Sequence, residues 1–141
     1  MRESFPLAVA FVLGHEGGYS RDVSDPGGET KWGISKRAYP HEDIAGMTVE
    51  RAKELYCRDY WVPIADALPF PADVVAFDTA VNQGVSFARE MAHECSDAQD
   101  MLIYRLKRYS AIVRNRPASS KYLRGWLNRI IDLHECIKEA P

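Results

Sequence analysis

A short apolar segment that ends on an acid constrains this chain more than any other stretch. Apolar residues fill most positions from Phe5 to Leu13, and several recur at the spacing of a helix. Because they face nearly all directions, we predict a buried helix that Ser4 caps. Gly14, Gly17 and Gly18 supply the stop, since glycine takes the left-handed conformation that ends helices. Glu16 therefore lies in the last turn.

Two features of this position favour a protonated Glu16. The helix dipole presents its negative end there, which disfavours a second negative charge. Phe11 and Val12, one turn back, add desolvation of the carboxyl group. A carboxyl group that keeps its proton near neutral pH is what a general acid requires.

A second acid, Asp25, lies in an Asp-Pro-Gly-Gly turn, where water and backbone N–H groups keep a carboxylate ionised. Two carboxyl groups with contrasting surroundings are typical of glycoside hydrolysis. Asp22 and Glu29 are close enough in the sequence to replace Asp25, and a mechanism with one carboxylate is also open. The hydroxyl of Thr30 is predicted to hold a water molecule.

Three segments together resemble a known family. They are Glu-Gly-Gly-Tyr at 16–19, Asp-Pro-Gly-Gly-Glu-Thr at 25–30 and Trp-Gly-Ile at 32–34. This pattern resembles the N-acetylmuramidases of glycoside hydrolase family 108, which are phage and prophage endolysins and their secretion-associated relatives. The spacing is also similar to that of the phage lysozymes of family 24. Later blocks at 60–61, 77–84 and 125–129 agree with the resemblance.

The resemblance implies a mainly α, compact lysozyme-like helical domain with a small β-hairpin beside an active-site cleft. It implies that Glu16 is the catalytic acid and that Asp25 and Thr30 complete a lysozyme-type triad. The expected reaction is hydrolysis of the β-1,4 bond between N-acetylmuramic acid and N-acetylglucosamine in peptidoglycan. A lytic transglycosylase acting on the same bond and a non-catalytic wall-binding or secretion-helper module stay open as alternatives.

Three further residues are candidates for substrate binding. Tyr19 and Trp32 offer flat faces to sugar rings. Asn82 either hydrogen-bonds an N-acetyl group or ring hydroxyl, or has a purely structural role. We assign a structural role to Asp78, an acid among strongly apolar neighbours, and predict that Arg129 pairs with it.

Length and charge limit the remaining possibilities. The 141 residues predict one catalytic domain over 1–141, with no C-terminal peptidoglycan-binding domain. A net charge of −2 argues against a nucleic-acid binder that works by neutralising phosphates. Cys57, Cys95 and Cys136 are predicted to be free thiols, since they are odd in number and widely spaced. The four histidines show no metal-ligand pattern, so we expect no metal and no cofactor.

The apolar segment near the start lacks a basic flank and a small-residue cleavage site, and it is too short to span a bilayer. We therefore expect a monomer made in the cytoplasm without a signal peptide and without stable membrane insertion. Its expected partner is the glycan strand of peptidoglycan, reached in the cell wall or periplasm after export through a holin or a secretion route, as the resemblance implies.

The rest of the chain predicts one strand and six further helices. The strand is Thr30 to Ile34, paired with residues near 19–23. A short helix is expected between Ser35 and Pro40. A second short helix is predicted at 86–95, after a break at Gly84. Four longer helices are predicted by their caps and proline or glycine stops: one from Thr48 to Pro63, one from Pro71 to Gly84, one from Ser96 to Pro117, and one from Ser119 or Ser120 onward.

Overall fold

The computed structural model describes residues 2–21 and 27–141, and most of these residues are helical. The helices are α1 (Phe5–His15), α2 (Val49–Tyr56), α3 (Ala72–Gln83), α4 (Val85–Glu94), α5 (Ala98–Asn115) and α6 (Ser120–Glu139). An antiparallel sheet has the strands β1 (Ser20–Arg21), β2 (Glu29–Lys31) and β3 (Ile34–Ser35), in that order. The predicted mainly α fold with a small hairpin is confirmed.

Helix α1 carries the candidate acid at its end. Ala8, Val9 and Val12 are buried against the core, as the apolar pattern predicts. Ser4 has a helical backbone instead of the extended conformation of a capping residue, because a short 3₁₀ turn precedes α1, so the predicted cap is wrong. After His15 the backbone becomes extended at Glu16, whose N–H still donates to the carbonyl oxygen of Val12 at 3.1 Å.

The sheet differs from the single strand predicted over 30–34. Strand β2 pairs with β1 through Ser20 and Thr30, and with β3 through Lys31 and Ile34. Between β2 and β3, Trp32 and Gly33 both have positive φ, at 55° and 77°. Two such residues make the tight turn whose twist matches that of a hairpin. The chain therefore reverses at Trp32–Gly33, which brings this turn back toward the end of α1.

Two boundaries between the sheet and α3 also differ from prediction. The Ser35 hydroxyl accepts the N–H of Ala38 at 3.2 Å and closes a turn, where a short helix was predicted. The cap at Thr48 is confirmed, since its hydroxyl accepts the N–H of Arg51 at 3.1 Å. Pro63 does not end this helix, because the chain widens into π-helical turns over Cys57–Ala65 and accommodates the proline there.

The second half of the chain follows its sequence signals closely. Gly84, at φ 96°, separates α3 from α4 as predicted. The carboxylate of Asp97 accepts the N–H of Asp100 at 2.8 Å, and the Asp100 carboxylate accepts the N–H of Ser96. This reciprocal capping fixes the start of α5. The Ser119 backbone is helical and its side chain makes no cap, so α6 instead begins through the 3₁₀ turn Pro117–Ser119.

Helix α3 runs through the core, and its residues from Ala72 to Ala80 are all buried. The ring of Phe77 meets the rings of Phe5, Tyr56 and Trp61 edge-on, with centroids 5.6–6.2 Å apart. Tyr56 and Trp61 are fully buried, so both rings belong to the core. The three cysteines are half-buried free thiols, also as predicted. Over residues 2–21 and 27–141, no helix is long and apolar enough to cross a membrane.

Candidate active site

The Glu16 side chain lies between the hairpin turn on one side and α6 on the other. It is 28% exposed, so its carboxyl group reaches solvent while most of its surface is covered. The extended backbone at this position directs the side chain off the end of α1. The sequence therefore places a partly desolvated acid where the helical part of the molecule meets the sheet.

On the hairpin side, Gly33 is in direct contact with Glu16. A Cβ atom added at Gly33 would lie 2.8 Å from Cγ of Glu16 and would also collide with the Tyr56 hydroxyl. Tyr56 donates its O–H to the carbonyl oxygen of Trp32 at 2.8 Å. Burial, together with the charge of Glu16, raises the pKa of Tyr56 well above its usual value, so it stays a neutral donor. Only a glycine permits this close approach.

On the helical side, Arg129 of α6 links Glu16 to a buried acid. Its Nη1 is 3.6 Å from Oε1 of Glu16, while its Nη2 and Nε donate to Oδ1 of Asp78 at 2.8 and 3.1 Å. Nη1 of Arg105 donates to the other oxygen, Oδ2, of Asp78 at 2.7 Å. The predicted pairing of Asp78 with Arg129 is thus confirmed, and the contact of Arg129 with Glu16 is an addition that sequence reasoning missed.

The ion pairs determine the charge states of Asp78 and Arg129. Burial alone favours a neutral Asp78, but Arg105 and Arg129 outweigh it and lower the pKa of that carboxyl group. Burial likewise works against a charged Arg129, yet Asp78 and Glu16 hold its pKa above its usual value. Arg129 is therefore a fixed cation beside Glu16.

The same network continues to Asn82 at the end of α3. Nη2 of Arg105 donates to the Tyr109 hydroxyl at 3.2 Å, and that hydroxyl donates to Oδ1 of Asn82 at 2.9 Å. Asn82 is exposed, so it remains accessible to a ligand while Tyr109 orients its amide. Its neighbour Gln83 has both amide atoms buried and without a hydrogen-bond partner in the described part of the chain. Each such atom costs roughly 1–3 kcal/mol when nothing satisfies it.

The remaining candidates lie on the sheet. Tyr19 is 48% exposed and donates its O–H to Oε2 of Glu29 at 2.9 Å, a bond that raises the pKa of Tyr19. Thr30 is in the central strand, between Ser20 and Ser35. The indole N–H of Trp32 donates to the carbonyl oxygen of Met47 at 3.3 Å, which fixes the half-buried ring. Trp32 thus has a structural bond that the sequence did not indicate.

Asp22 and Asp25 lie in 22–26, outside the described residues, so their assignment stays a prediction. Glu29, the third alternative, is on β2 and bonded to Tyr19. Within 2–21 and 27–141, no three His, Cys, Asp or Glu side chains cluster as metal ligands would. The described site therefore offers one acid, one buried cation network and a surface with exposed aromatic and amide groups.

Sequence reasoning missed Gly33, Tyr56 and Tyr109 as parts of the site. For Gly33 the sequence does contain a signal, because a Trp-Gly pair that follows a short strand is typical of a tight turn. The ring of Tyr56 is buried in the core. Only the three-dimensional structure shows that its hydroxyl faces the hairpin turn.

A helical domain that presents a partly buried acid toward a small sheet has the architecture of lysozyme-like glycoside hydrolases. The sequence agrees with this class, because the model of the family Glycosyl hydrolase 108 matches residues 9–84, more than half of the chain. The chain belongs to this family and is a glycoside hydrolase, so its substrate is a glycan. The match includes the second part of α1, the sheet, α2 and α3, and it ends at Gly84.

A solved structure extends the similarity of the fold to the remaining helices. SagA of Brucella abortus superposes with a TM-score of 0.72 over 96% of this chain and 94% of its own, at 21% sequence identity. The two chains therefore share a fold through α6, which carries Arg129. No curated protein gives a significant match to the sequence.

Proposed function

We propose that the protein is an N-acetylmuramidase that cleaves the β-1,4 bond between N-acetylmuramic acid and N-acetylglucosamine in peptidoglycan, with Glu16 as the general acid. The observation that carries this assignment is the position of Glu16. Its carboxyl group is held between Gly33 and Arg129 and is still partly exposed. Membership of the glycosyl hydrolase 108 family supports the reaction class.

In this mechanism Glu16 gives its proton to the leaving glycosidic oxygen. Arg129 stabilises the carboxylate that remains after the transfer, and Asp78 and Arg105 keep the Arg129 guanidinium in place. A preorganised charge of this kind costs little reorganisation during the reaction. Positive charge develops on the sugar ring at the same time, so an opposing carboxylate or a water molecule must complete the step.

Asp25 is the proposed partner, with Thr30 holding the attacking water. A separation of about 5–5.5 Å between the two carboxyl groups is expected for a retaining enzyme, and about 6.5–9.5 Å for an inverting one. Tyr19 and Trp32 are proposed to contact sugar rings from the sheet, and Asn82 from the end of α3. The protein would act on the wall as an endolysin-like enzyme, exported through a holin or a secretion route.

The test is the clearing of purified peptidoglycan sacculi by wild type, Glu16→Gln and Glu139→Gln. Glu139 is exposed and shares a surface depression with Leu7, near the other end of α1, so its substitution controls for loss of one carboxylate. We expect clearing by wild type and Glu139→Gln, and a loss of at least about a hundredfold in Glu16→Gln, as is typical when general acid catalysis is removed.

Mass spectrometry of the products then distinguishes hydrolysis from transglycosylation. Products with reducing muramic acid ends, which carry the added water, support the muramidase. Products with anhydro ends identify a lytic transglycosylase instead. If wild type does not clear sacculi but still binds them, a wall-binding module is the better assignment. Undiminished clearing by Glu16→Gln contradicts the role of Glu16.

A further inference from the structure

An apolar groove of about 430 Å³ runs along the outer surface of α5 and α6. Five aliphatic residues line it: Leu102, Ile103, Leu106, Ile130 and Ile131. Ile103 and Ile131 are 48% and 57% exposed, and Leu127, one turn before Ile131, is 38% exposed. Single exposed apolar side chains are ordinary, but apolar residues that line one continuous groove are typical of an interaction site.

The groove faces away from the candidate active site. Successive residues of an α-helix are about 100° apart around its axis, so Arg129 and Ile131 point in nearly opposite directions from α6. Arg129 contacts Asp78 and Glu16, whereas Ile131 is exposed. A partner seated on the groove therefore leaves the carboxyl group of Glu16 accessible.

Each of the two helices carries one acid and one base, separated by its exposed aliphatic residues. The four charged side chains are all exposed, and they are Asp100 and Lys107 on α5 and Arg124 and Glu135 on α6. Each lies one turn away from Ile103, Leu127 or Ile131. We call the surface of these aliphatic residues and the four charges the α5–α6 face. Because the start of α5 lies beside the end of α6, the two acids are at one end of the face and the two bases are at the other.

The order of these charges makes the α5–α6 face complementary to a copy of itself. The midpoint between the acid and the base of α5 lies beside Ile103, and the midpoint between those of α6 lies beside Ile130. Ile103 and Ile130 line the same groove, so both midpoints are at nearly the same level. A two-fold axis at this level, perpendicular to the helices, lays each helix antiparallel on its copy and brings every acid opposite a base. This is the geometry of an isologous interface, in which the same surface is used by both chains.

We propose that the protein forms a two-fold symmetric dimer through the α5–α6 face, in place of the monomer expected from the sequence. In this dimer Arg124 lies opposite Glu135 of the second copy, and Leu127 packs against Ile131 of the second copy. The two Glu16 side chains lie on opposite outer surfaces. A dimer with two open sites is retained longer on a polymeric glycan than a single chain, provided that both sites can engage it.

Glu135 is available for the contact with the second copy. Within its own chain it contacts His134 at 3.2 Å and Lys138 at 3.8 Å, and the three side chains are 40–56% exposed. Exposed pairs of this kind contribute little to stability. Glu135 can therefore turn to Arg124 of the second copy at small cost.

The experiment measures the molecular mass of the purified protein by sedimentation equilibrium across a wide range of concentrations. Wild type is compared with Ile131→Glu, which introduces a charge at the centre of the face, and with Val62→Glu. Val62 is 46% exposed and belongs to the π-helical segment Cys57–Ala65, outside the α5–α6 face, so it controls for the loss of an exposed aliphatic residue. Circular dichroism checks that each variant keeps its helices.

We expect wild type to reach twice the mass of one chain as the concentration rises. Ile131→Glu should dimerise about a hundredfold more weakly or not at all, because an unpaired charge is costly to bury. Val62→Glu should match wild type.

The two charged residues of α6 test the antiparallel arrangement. Arg124→Glu and Glu135→Arg each place like charges opposite one another and should each weaken the dimer by about tenfold. The double variant restores opposite charges across the interface and should regain most of the wild-type affinity. A substitution that merely destabilised α6 would not be rescued by a second charge reversal.

A single-chain mass for wild type at every concentration overturns the dimer. Equal affinities of wild type and Ile131→Glu also overturn it, since the dimer would then use another surface. If the double variant is no stronger than the single variants, the antiparallel arrangement is wrong. A wild-type monomer that binds a hydrophobic dye, with the signal lost in Ile131→Glu, would assign the face to a different partner. None of these results depends on the clearing of sacculi, so the muramidase assignment is tested separately.

Discussion

The two sides of Glu16 are built in opposite ways. On the helical side, Asp78 and Arg105 are completely buried, and the Asp78 carboxylate accepts hydrogen bonds from both Arg105 and Arg129. On the sheet side, the contact with Glu16 comes from the backbone of a two-residue turn at Gly33, and Tyr19 nearby in the sequence is largely exposed. One side holds the acid through charge and the other through close fit.

This difference separates two tasks that the site has to perform. A buried ion network fixes the direction of a catalytic group, since it has few alternative arrangements. An exposed sheet with aromatic rings leaves surface free to meet an extended glycan. We therefore expect substitutions on the helical side to change stability first, and substitutions on the sheet side to change catalysis or binding first.

The strongest test of the helical side is Asp78→Asn. The variant keeps the shape of the side chain but leaves Arg105 and Arg129 without a buried counter-charge. Breaking a buried ion pair in this way destabilises a protein by about 3–5 kcal/mol. Denaturant unfolding measures the loss, and Asp132→Asn is the control. Asp132 forms an exposed pair with His15, so its substitution should stay within about 0.5 kcal/mol.

The same pair of variants gives a pH dependence with a defined sign. The pKa of Asp78 is lowered in the folded protein, so its contribution to stability is present above its unfolded pKa of about 3.9 and is lost as the pH falls toward the folded value. Wild type should lose this contribution below about pH 4, and Asp78→Asn should lack that part of the acid transition. An identical acid profile in both proteins would contradict the ionised state of Asp78.

Much of the helical side could be predicted from the sequence. The apolar periodicity predicted α3. Asp78 lies among apolar residues and needs a buried cation as a partner, and Arg129 was the predicted partner. The contact of Arg129 with Glu16 could not be predicted, because it depends on how α6 packs against the end of α1. Nor did the sequence indicate that Gln83 is buried without partners, since its neighbours Asn82 and Gly84 mark the end of a helix.

The sheet side was harder to predict for a physical reason. Its strands have two or three residues each, so periodicity has too few positions to define their limits. The positive φ of Trp32 places an aromatic residue at a turn position that usually takes glycine, asparagine or aspartate, and this concealed the reversal of the chain. Gly33, which follows Trp32, was the better signal of the turn.

Gly33→Ala tests the close fit on the sheet side. Alanine there combines the cost of a positive φ, about 1–2 kcal/mol, with a collision against Glu16 and Tyr56 that adds about 1–3 kcal/mol. Gly28→Ala is a matched control, since Gly28 also has a positive φ, at 70°, but an added Cβ would meet only Lys36 at an ordinary 3.9 Å. Both are measured by denaturant unfolding and by clearing of sacculi.

The comparison of the two glycines separates backbone strain from displacement of the acid. We expect the cost of the positive φ in both variants and the cost of the collision with Glu16 and Tyr56 only in Gly33→Ala. Clearing should fall about a hundredfold in Gly33→Ala, as is typical when a catalytic group moves by about 1 Å, and should fall much less in Gly28→Ala. Equal activities in the two variants would mean that the hairpin turn does not position Glu16.

The smallest effect is expected at Tyr19, where the sheet side is most exposed. Tyr19→Phe removes the hydrogen bond to Glu29 but keeps the ring, so the unfolding midpoint and the clearing of sacculi should both stay near those of wild type. Tyr19→Ala removes the ring and should raise KM for glycan several-fold with little change in kcat, because an exposed ring contributes to binding rather than to the core.

A loss of kcat in Tyr19→Phe would show instead that the bond to Glu29 matters for catalysis, and it would make Glu29 the better candidate for the second acid. The sheet side would then also contribute a catalytic charge, and the contrast between the two sides of Glu16 would no longer hold.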